Sequence, residues 1–186
     1  GPGAPSGLND VALLPGGRVV ATDTISGALY VADLEAAALR VLTPAGALES
    51  PNGIAAAADG SVIYVADLFG LSAVDPASGA VRRFEAPAGA CLGGVDGLSL
   101  ESGRLIGIQN LFGMPRIWSV AAEPSAPGTP VILTSGDRRL AGPTTGAVVD
   151  GALWLIANPQ LRTTDADGRP WPRERLEALK LMRIPL

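Results

Sequence analysis

The segment SPNGIAAAADGSVIYVADL, residues 50–68, contains the plan on which the rest of the chain is built. Asn52-Gly53 precedes a short apolar strand, and Asp59-Gly60 is a two-residue turn of the kind that joins adjacent antiparallel strands. Val62–Ala66 then returns as a second apolar strand, which Asp67 follows. The segment therefore predicts a β-hairpin with one polar residue at its entrance and another at its exit.

The same hairpin plan recurs three more times along the chain. Its entrance residues are separated by 43, 44 and 49 positions, and its exit residues by 44, 43 and 48 positions. A period of about 40 to 50 residues per all-β unit is typical of propeller blades. The entrances are Asn9, Asn52, Asp96 and Thr145, and the exits are Asp23, Asp67, Asn110 and Asn158.

Each repeat continues into further apolar segments, as a four-stranded blade requires. The predicted third and fourth strands are Ala28–Ala32 and Leu39–Leu42, Leu71–Val74 and Ala80–Phe84, and Arg116–Val120 and Pro130–Thr134. The last repeat has only a third strand, Leu179–Ile184, so its blade lacks an outer strand. We expect an all-β propeller of four blade repeats, each a four-stranded antiparallel sheet, with an incomplete last blade.

These repeats predict one propeller domain over residues 8–186. Its blades span about 8–49, 50–93, 94–142 and 143–186, and residues 1–7 form a flexible lead-in or the remnant of a protease cleavage. The net charge of −4 and the lack of a Lys/Arg cluster argue against nucleic acid or an anionic membrane surface as a partner. No apolar run reaches the roughly 18 residues of a membrane span. The composition leaves the compartment open.

An insert between Asn158 and Lys180 interrupts the strand pattern. Pro172 followed by RERLEALK predicts one or two helical turns with proline near the start. The nearby DADG, residues 165–168, invites comparison with a calcium loop, but the closing glutamate and flanking helices of an EF-hand are absent. We therefore interpret this stretch as a polar surface loop.

The entrance residues are the candidates for function, because the first strand of every propeller blade lines the central channel. Asn9, Asn52, Asp96 and Thr145 would then form an arc of oxygen-bearing side chains. The chain has no histidine, so a metal ion held there would be oxygen-coordinated. Ca²⁺ is the first expectation, followed by Mg²⁺ or Mn²⁺, with Zn²⁺ only through oxygen ligands.

Ordinary turn chemistry is the alternative interpretation of these residues. Asn or Asp before Gly at a strand entrance also bonds nearby backbone and tolerates left-handed geometry. A shared polar position in four blades favours a ligand role for Asn52 and Asp96. The exit residues lie at the far ends of second strands, where turn capping is the preferred interpretation.

At these segments the chain resembles the senescence marker protein/gluconolactonase/luciferin-regenerating enzyme family of six-bladed propellers, to which paraoxonases are more distantly similar. The segments LNDVALLPGGRVVATDT, SPNGIAAAADGSVIYVAD and VDGLSLESGRLIGIQN look like blades three, four and five of that family. The resemblance implies substrate binding by Asn9, metal ligation by Asn52 and Asp96, and a catalytic base role for Asp96. It covers only that family's last four blades, and the metal-binding glutamate of its first blade has no counterpart here.

The resemblance implies a metal-dependent hydrolase of lactones or related esters, with the metal and a water molecule at the propeller axis. It also implies a larger ring, completed by further blades, by a second copy or by a partner chain. The competing hypothesis is a non-catalytic propeller segment that binds a ligand or a protein. Its motivation is the pair of apolar loops LFGL, residues 68–71, and LFGMP, residues 111–115, which would cap a substrate, bind a protein or pack between blades. Trp118 and Trp154 are expected in the core, and Trp171 partly exposed.

Overall fold

The computed structural model describes residues 5–161 and 163–186, and in them four small antiparallel sheets are arranged as the blades of a propeller. The all-β, four-blade architecture that the repeats predict is confirmed. Residues 1–4 of the predicted lead-in lie outside the described residues. Pro5–Gly7 precede the first strand, and the Gly7 carbonyl accepts a 2.9 Å hydrogen bond from the Thr24 backbone N–H.

Strands follow one another in sequence order within each blade, with the first strand innermost. Blade one contains β1 Leu8–Leu14, β2 Arg18–Asp23, β3 Ala28–Asp33 and β4 Ala38–Thr43; blade two contains β5 Ile54–Ala56, β6 Ile63–Ala66, β7 Leu71–Val74 and β8 Val81–Arg83. Blade three contains β9 Val95–Glu101, β10 Arg104–Gln109, β11 Arg116–Ala121 and β12 Val131–Ser135; blade four contains β13 Gly146–Val149, β14 Ala152–Ile156 and β15 Leu181–Pro185. Blade four is three-stranded, as its sequence predicts.

The hydrophobic core is divided among the gaps between consecutive blades. Successive side chains of each strand point to opposite faces of the blade, and apolar side chains occur on both faces. The side chains of two neighbouring blades interdigitate in the gap between them. Three buried clusters result, between blades one and two, two and three, and three and four. Trp118 is fully buried in the second of these, as predicted. Within the described part of the chain no comparable cluster joins blade four to blade one.

Glycine follows three of the entrance residues, and at two positions the reason is close packing between inner strands. A Cβ on Gly53 would lie 2.8 Å from the Asp96 carbonyl oxygen, and one on Gly97 would lie 2.6 Å from the Thr144 carbonyl oxygen. Neither glycine has a positive φ. The Asn-Gly and Asp-Gly pairs are therefore not left-handed turns. Their glycines are needed instead because the lack of a side chain lets the inner strand of one blade approach that of the next.

We expect Gly53→Ala to destabilise the protein by about 1–3 kcal/mol, because the added methyl group meets the backbone of β9. Gly70→Ala is the matched control, since Gly70 also lacks a positive φ and a Cβ there would meet open space. The measurement is the free energy of unfolding in urea. Equal stability of the two variants would contradict the close-packing role of Gly53.

The insert between β14 and β15 of blade four forms only one 3₁₀ turn, Arg173–Arg175, immediately after Pro172. None of its residues is buried, so no tertiary packing stabilises a longer helix. The DADG stretch is a tight turn, in which Asp165 Oδ1 accepts hydrogen bonds from the backbone N–H groups of Asp167 and Arg169, each 2.9 Å long. The interpretation as a polar surface loop is confirmed.

Two tryptophans lie in the last blade and its insert. Trp171 is half-buried, which agrees with its expected partial exposure. The Arg175 guanidinium carbon lies 4.5 Å from the centre of its ring. Trp154, expected in the core, is instead half-buried. Trp154 pairs with Ala147 and Arg183 across the sheet, on the face of blade four that points away from blade three. The Arg183 guanidinium lies 6.0 Å from the centre of the Trp154 ring.

Candidate functional site

The entrance residues come together at one end of the propeller axis. Asn9, Asn52, Asp96 and Thr145 all line a cavity of about 410 Å³, whose remaining lining residues are Asp10, Thr144 and Leu161. We call this the axial cavity. One residue from each blade therefore lines the same cavity, as predicted. The volume of this cavity is in the range that admits a small ligand.

Two of the inner strands carry a β-bulge where they reach this cavity. In β1 the pairing with β2 shifts between Leu8 and Val11, so Asn9 and Asp10 leave the regular register. In β9 the pairing with β10 shifts around Asp96, because Val95 and Gly97 oppose consecutive residues of β10. A bulge bends the strand and redirects its side chains, and bulges are frequent beside active sites. The sequence pattern does not reveal these shifts.

Asn52 has the most informative environment of the predicted residues. Its backbone is fixed on both sides, because its N–H donates to the Ala66 carbonyl at 2.9 Å and its carbonyl accepts from Thr22 Oγ1, also at 2.9 Å. Its side-chain Oδ1 is buried and has no hydrogen-bond partner among the described residues. A buried amide oxygen without a partner costs free energy, and a cation or an ordered water would relieve that cost.

Asp96 is held by an exit residue. Asn110 Nδ2 donates to Asp96 Oδ2 at 2.7 Å and also to the Pro143 carbonyl at 2.7 Å, which joins blade three to the linker before blade four. Turn capping was the preferred interpretation of Asn110, and this contact to Asp96 corrects it. Asn52, Asp96 and Asn110 also line a second cavity of about 280 Å³ that reaches between blades two and three.

Asp10 is a site residue that the sequence reasoning missed. It lines the axial cavity, and its carboxylate accepts from the Val11 N–H at 2.8 Å and the Ile54 N–H at 3.3 Å. Burial raises the pKa of Asp10, the two backbone hydrogen bonds lower it, and the nearby charge of Asp96 raises it further; the net shift is upward. The available signal was its position directly after Asn9.

Asn9 itself is exposed, and its Nδ2 donates to Thr24 Oγ1 at 3.0 Å. The structure therefore brings two carboxylates, from Asp10 and Asp96, to the cavity where the amide side chains of Asn9 and Asn52 lie. Among the residues that the structure describes, no three His, Cys, Asp or Glu side chains form a metal-binding group. The donor set consists of oxygen atoms from Asn and Asp, which suits a hard cation bound largely through water.

The other exit residues hold loops in place, as predicted. Asp23 accepts from the Gly7, Ile25 and Ser26 N–H groups and from Ser6 Oγ. Burial alone would raise the pKa of Asp23, but the hydrogen bonds from Ser6, Gly7 and Ser26 outweigh it and lower the pKa. Asn158 donates to the Ala178 carbonyl and accepts from the Lys180 N–H, which ties both ends of the insert together.

The two Leu-Phe-Gly loops lie in solvent beside the second cavity. Phe69, Leu111, Phe112 and Met114 are 74%, 59%, 58% and 75% exposed, and we call them the apolar rim. Interblade packing, one of the expected roles of these loops, is thus not seen for their phenylalanines. Leu68 and Leu111 line the second cavity directly. A cavity with oxygen donors on one wall and aliphatic groups on the other suits an amphiphilic ligand.

Comparison with known proteins finds similarity only at the level of the fold. No family model and no curated protein sequence matches the chain. A chain of the nidogen/laminin complex superposes with a TM-score of 0.64 at 19% identity, over 81% of this chain and 55% of that one. A chain of hydrazine synthase from Kuenenia stuttgartiensis superposes with a TM-score of 0.62 at 11% identity, over 92% of this chain and 48% of that one.

This chain thus matches about half the length of each of those two solved chains. The described part of the chain contains no helix that is long and apolar enough to cross a bilayer. At these identities the likeness concerns the backbone architecture and carries no statement about activity. The chain is a β-propeller whose blades meet at a polar axial cavity.

Proposed function

We propose that this chain binds a divalent cation, Ca²⁺ first, at Asn52 and Asp96, and that this site serves the hydrolysis of lactones or related esters. The observation that carries the proposal is the buried, unpartnered Oδ1 of Asn52 at the wall of the cavity that Asp96 also lines. The similarity of three segments to the gluconolactonase-like family supports the reaction class. An amide oxygen and a carboxylate are ligands that Ca²⁺ prefers.

The proposal gives Asp96 two roles, as a cation ligand and as the base, and gives Asn9 a role in substrate binding. When bound, a divalent cation supplies Lewis-acid polarisation of an ester carbonyl. Asp96 is the candidate base, since its Oδ2 is fixed by Asn110 and a carboxylate in hydrogen-bond reach of water can accept its proton. Asn9 is exposed at the same cavity and is the candidate for orienting the substrate. A Ser/His/Asp mechanism is excluded because the chain has no histidine.

Asn52→Ala tests the cation site without requiring activity. We expect calcium affinity, measured by titration calorimetry, to fall at least about tenfold, because loss even of outer-shell partners costs that much in metal sites. The free energy of unfolding without calcium should stay unchanged or rise slightly, since a buried oxygen without a partner is removed. Ser61→Ala, in the exposed turn of the same hairpin, is the matched control. Undiminished calcium affinity in Asn52→Ala would refute the assignment.

The second candidate function is a non-catalytic binding platform, and the exposed apolar rim favours it. Four large apolar side chains in solvent beside a cavity are typical of ligand or protein recognition. One of the two similar solved structures is itself a protein complex, that of nidogen with laminin. The two candidates separate in a hydrolysis assay with saturating calcium. The hydrolase requires turnover that Asp96→Asn lowers at least about a hundredfold, whereas the platform requires no turnover.

A further inference from the structure

The axial cavity and the second cavity meet at the same two side chains, because Asn52 and Asp96 line both of them. One carboxylate oxygen of Asp96 is held by Asn110 at 2.7 Å. The amide oxygen of Asn52 is buried and has no partner among the described residues. A ligand bound at these two side chains therefore has room to extend in two directions.

The two directions differ in polarity. Away from Asn52 and Asp96, the second cavity has three aliphatic side chains on its walls, those of Leu68, Val95 and Leu111. The axial cavity has a single aliphatic side chain among polar ones, its further lining residues being Asn9, Asp10, Thr144, Thr145 and Leu161. A ligand that extends into both cavities is therefore amphiphilic, with its apolar part in the second cavity.

Most polar groups on the walls of the second cavity already have partners. Both carboxylate oxygens of Asp67 accept hydrogen bonds from backbone N–H groups. Thr24 Oγ1 donates to the Pro51 carbonyl at 2.7 Å, and the amide of Asn110 donates to Asp96. Since these groups are satisfied within the protein, the walls away from the Asn52 amide favour an apolar group.

The apolar mouth of the second cavity is held in place by close packing. Gly93 and Gly94 lie between the two Leu-Phe-Gly loops: a Cβ on Gly93 would meet the Leu68 carbonyl oxygen, and one on Gly94 would lie 2.5 Å from the Phe112 ring. The Leu111 N–H also donates to the Gly94 carbonyl at 3.5 Å. Loops that are fixed before a ligand arrives lose little conformational entropy when it binds.

We propose that the second cavity is a subsite for an unbranched alkyl chain, and that the lactone or ester bound at Asn52 and Asp96 carries such a chain. Ligand cavities usually measure about 300–1,000 Å³, so the 280 Å³ of this one holds part of a ligand. The polar remainder of the substrate faces the axial cavity. The position of the ester group rests on the proposed function, whereas the alkyl subsite rests on the second cavity itself.

Binding of 3-alkylcyclopentanones to the calcium-loaded protein tests the subsite. In these probes a methylene replaces the ring oxygen of a γ-alkyl lactone, so there is no ester bond to break. We expect the dissociation constant, measured by titration calorimetry, to fall about fourfold for each methylene added to the chain. The gain should stop once the chain fills the cavity.

Two variants locate the chain in the second cavity. Leu111→Ser and Leu68→Ser each replace one aliphatic wall, and each is expected to weaken binding of the pentyl probe relative to cyclopentanone at least about threefold. Leu111 is 59% exposed, so its replacement leaves the blade cores intact, and circular dichroism checks the fold of both variants. Leu34→Ser, in an exposed turn of blade one, is the matched control that keeps the wild-type ratio.

The outcomes separate this inference from the proposed hydrolysis. An affinity that does not depend on chain length, or no measurable binding of the longest probe, would overturn the subsite even if lactones are hydrolysed. A chain-length dependence that both folded variants retain in full would overturn it too, because the chain would then lie elsewhere. Chain-length-dependent binding that both variants weaken, without hydrolysis of any γ-alkyl lactone, would support the subsite and refute the reaction.

Discussion

Replacing Asp96 by Asn is expected to lower kcat/KM for lactone hydrolysis by about 10²- to 10⁴-fold, the range that general acid–base catalysis contributes. Asn has nearly the same shape, and its Oδ1 can still accept the hydrogen bond from Asn110 Nδ2. The change therefore removes the negative charge and the ability to accept a proton. The hydrogen bonds of Asn110 to residue 96 and to the Pro143 carbonyl remain. Calcium affinity should fall in the same variant, because Asp96 is also a proposed ligand.

The measurement is acid release from a small aliphatic lactone and an aryl ester, together with calorimetric titration of calcium. Asp150→Asn is the matched control, since it removes one carboxylate from an exposed turn whose positive φ suits Asn as well. Its rate should equal that of wild type. Full activity in Asp96→Asn would rule out the catalytic assignment, and a loss shared with Asp150→Asn would indicate an effect of overall charge.

Asp67→Ala is expected to cost about 1–3 kcal/mol of stability, as the loss of a buried hydrogen-bond acceptor that leaves its donors unsatisfied does. Asp67 is 2% exposed, and its Oδ1 accepts from the N–H groups of Phe69 and Gly70, each at 3.0 Å. Its Oδ2 accepts from the Glu49 N–H at 3.3 Å and pairs with Arg83 Nη1. Alanine leaves the three backbone N–H groups without this acceptor, whereas the half-exposed Arg83 guanidinium can turn to water.

Urea unfolding and hydrogen exchange check this prediction. The N–H groups of Phe69 and Gly70 should lose protection first, because Asp67 fixes the loop that carries them. Asp75→Ala is the control, since Asp75 caps a similar turn through Ala77 and Ser78 in full contact with solvent. Water replaces the carboxylate there, so the loss should be much smaller. Equal losses in the two variants would show that the burial of Asp67 has no energetic consequence.

The sequence alone determined the architecture, because a propeller blade is a local unit. Its hairpins close over a few residues, and its apolar positions alternate along each strand. The repeat in SPNGIAAAADGSVIYVADL therefore predicted the strands, the missing outer strand of blade four and the convergence of Asn9, Asn52, Asp96 and Thr145.

Tertiary structure decided the details of the axial cavity. Asp10 lines this cavity because of a register shift in β1. Asn110 fixes Asp96 at its wall and also contacts the Pro143 carbonyl across 33 residues, a contact that no local sequence pattern indicates. The outward position of Trp154 depends on which side of β14 the preceding blade covers. Local periodicity fixes which residues share a face, whereas only the packing of blade against blade decides which face is buried and which oxygen atoms meet at the axis.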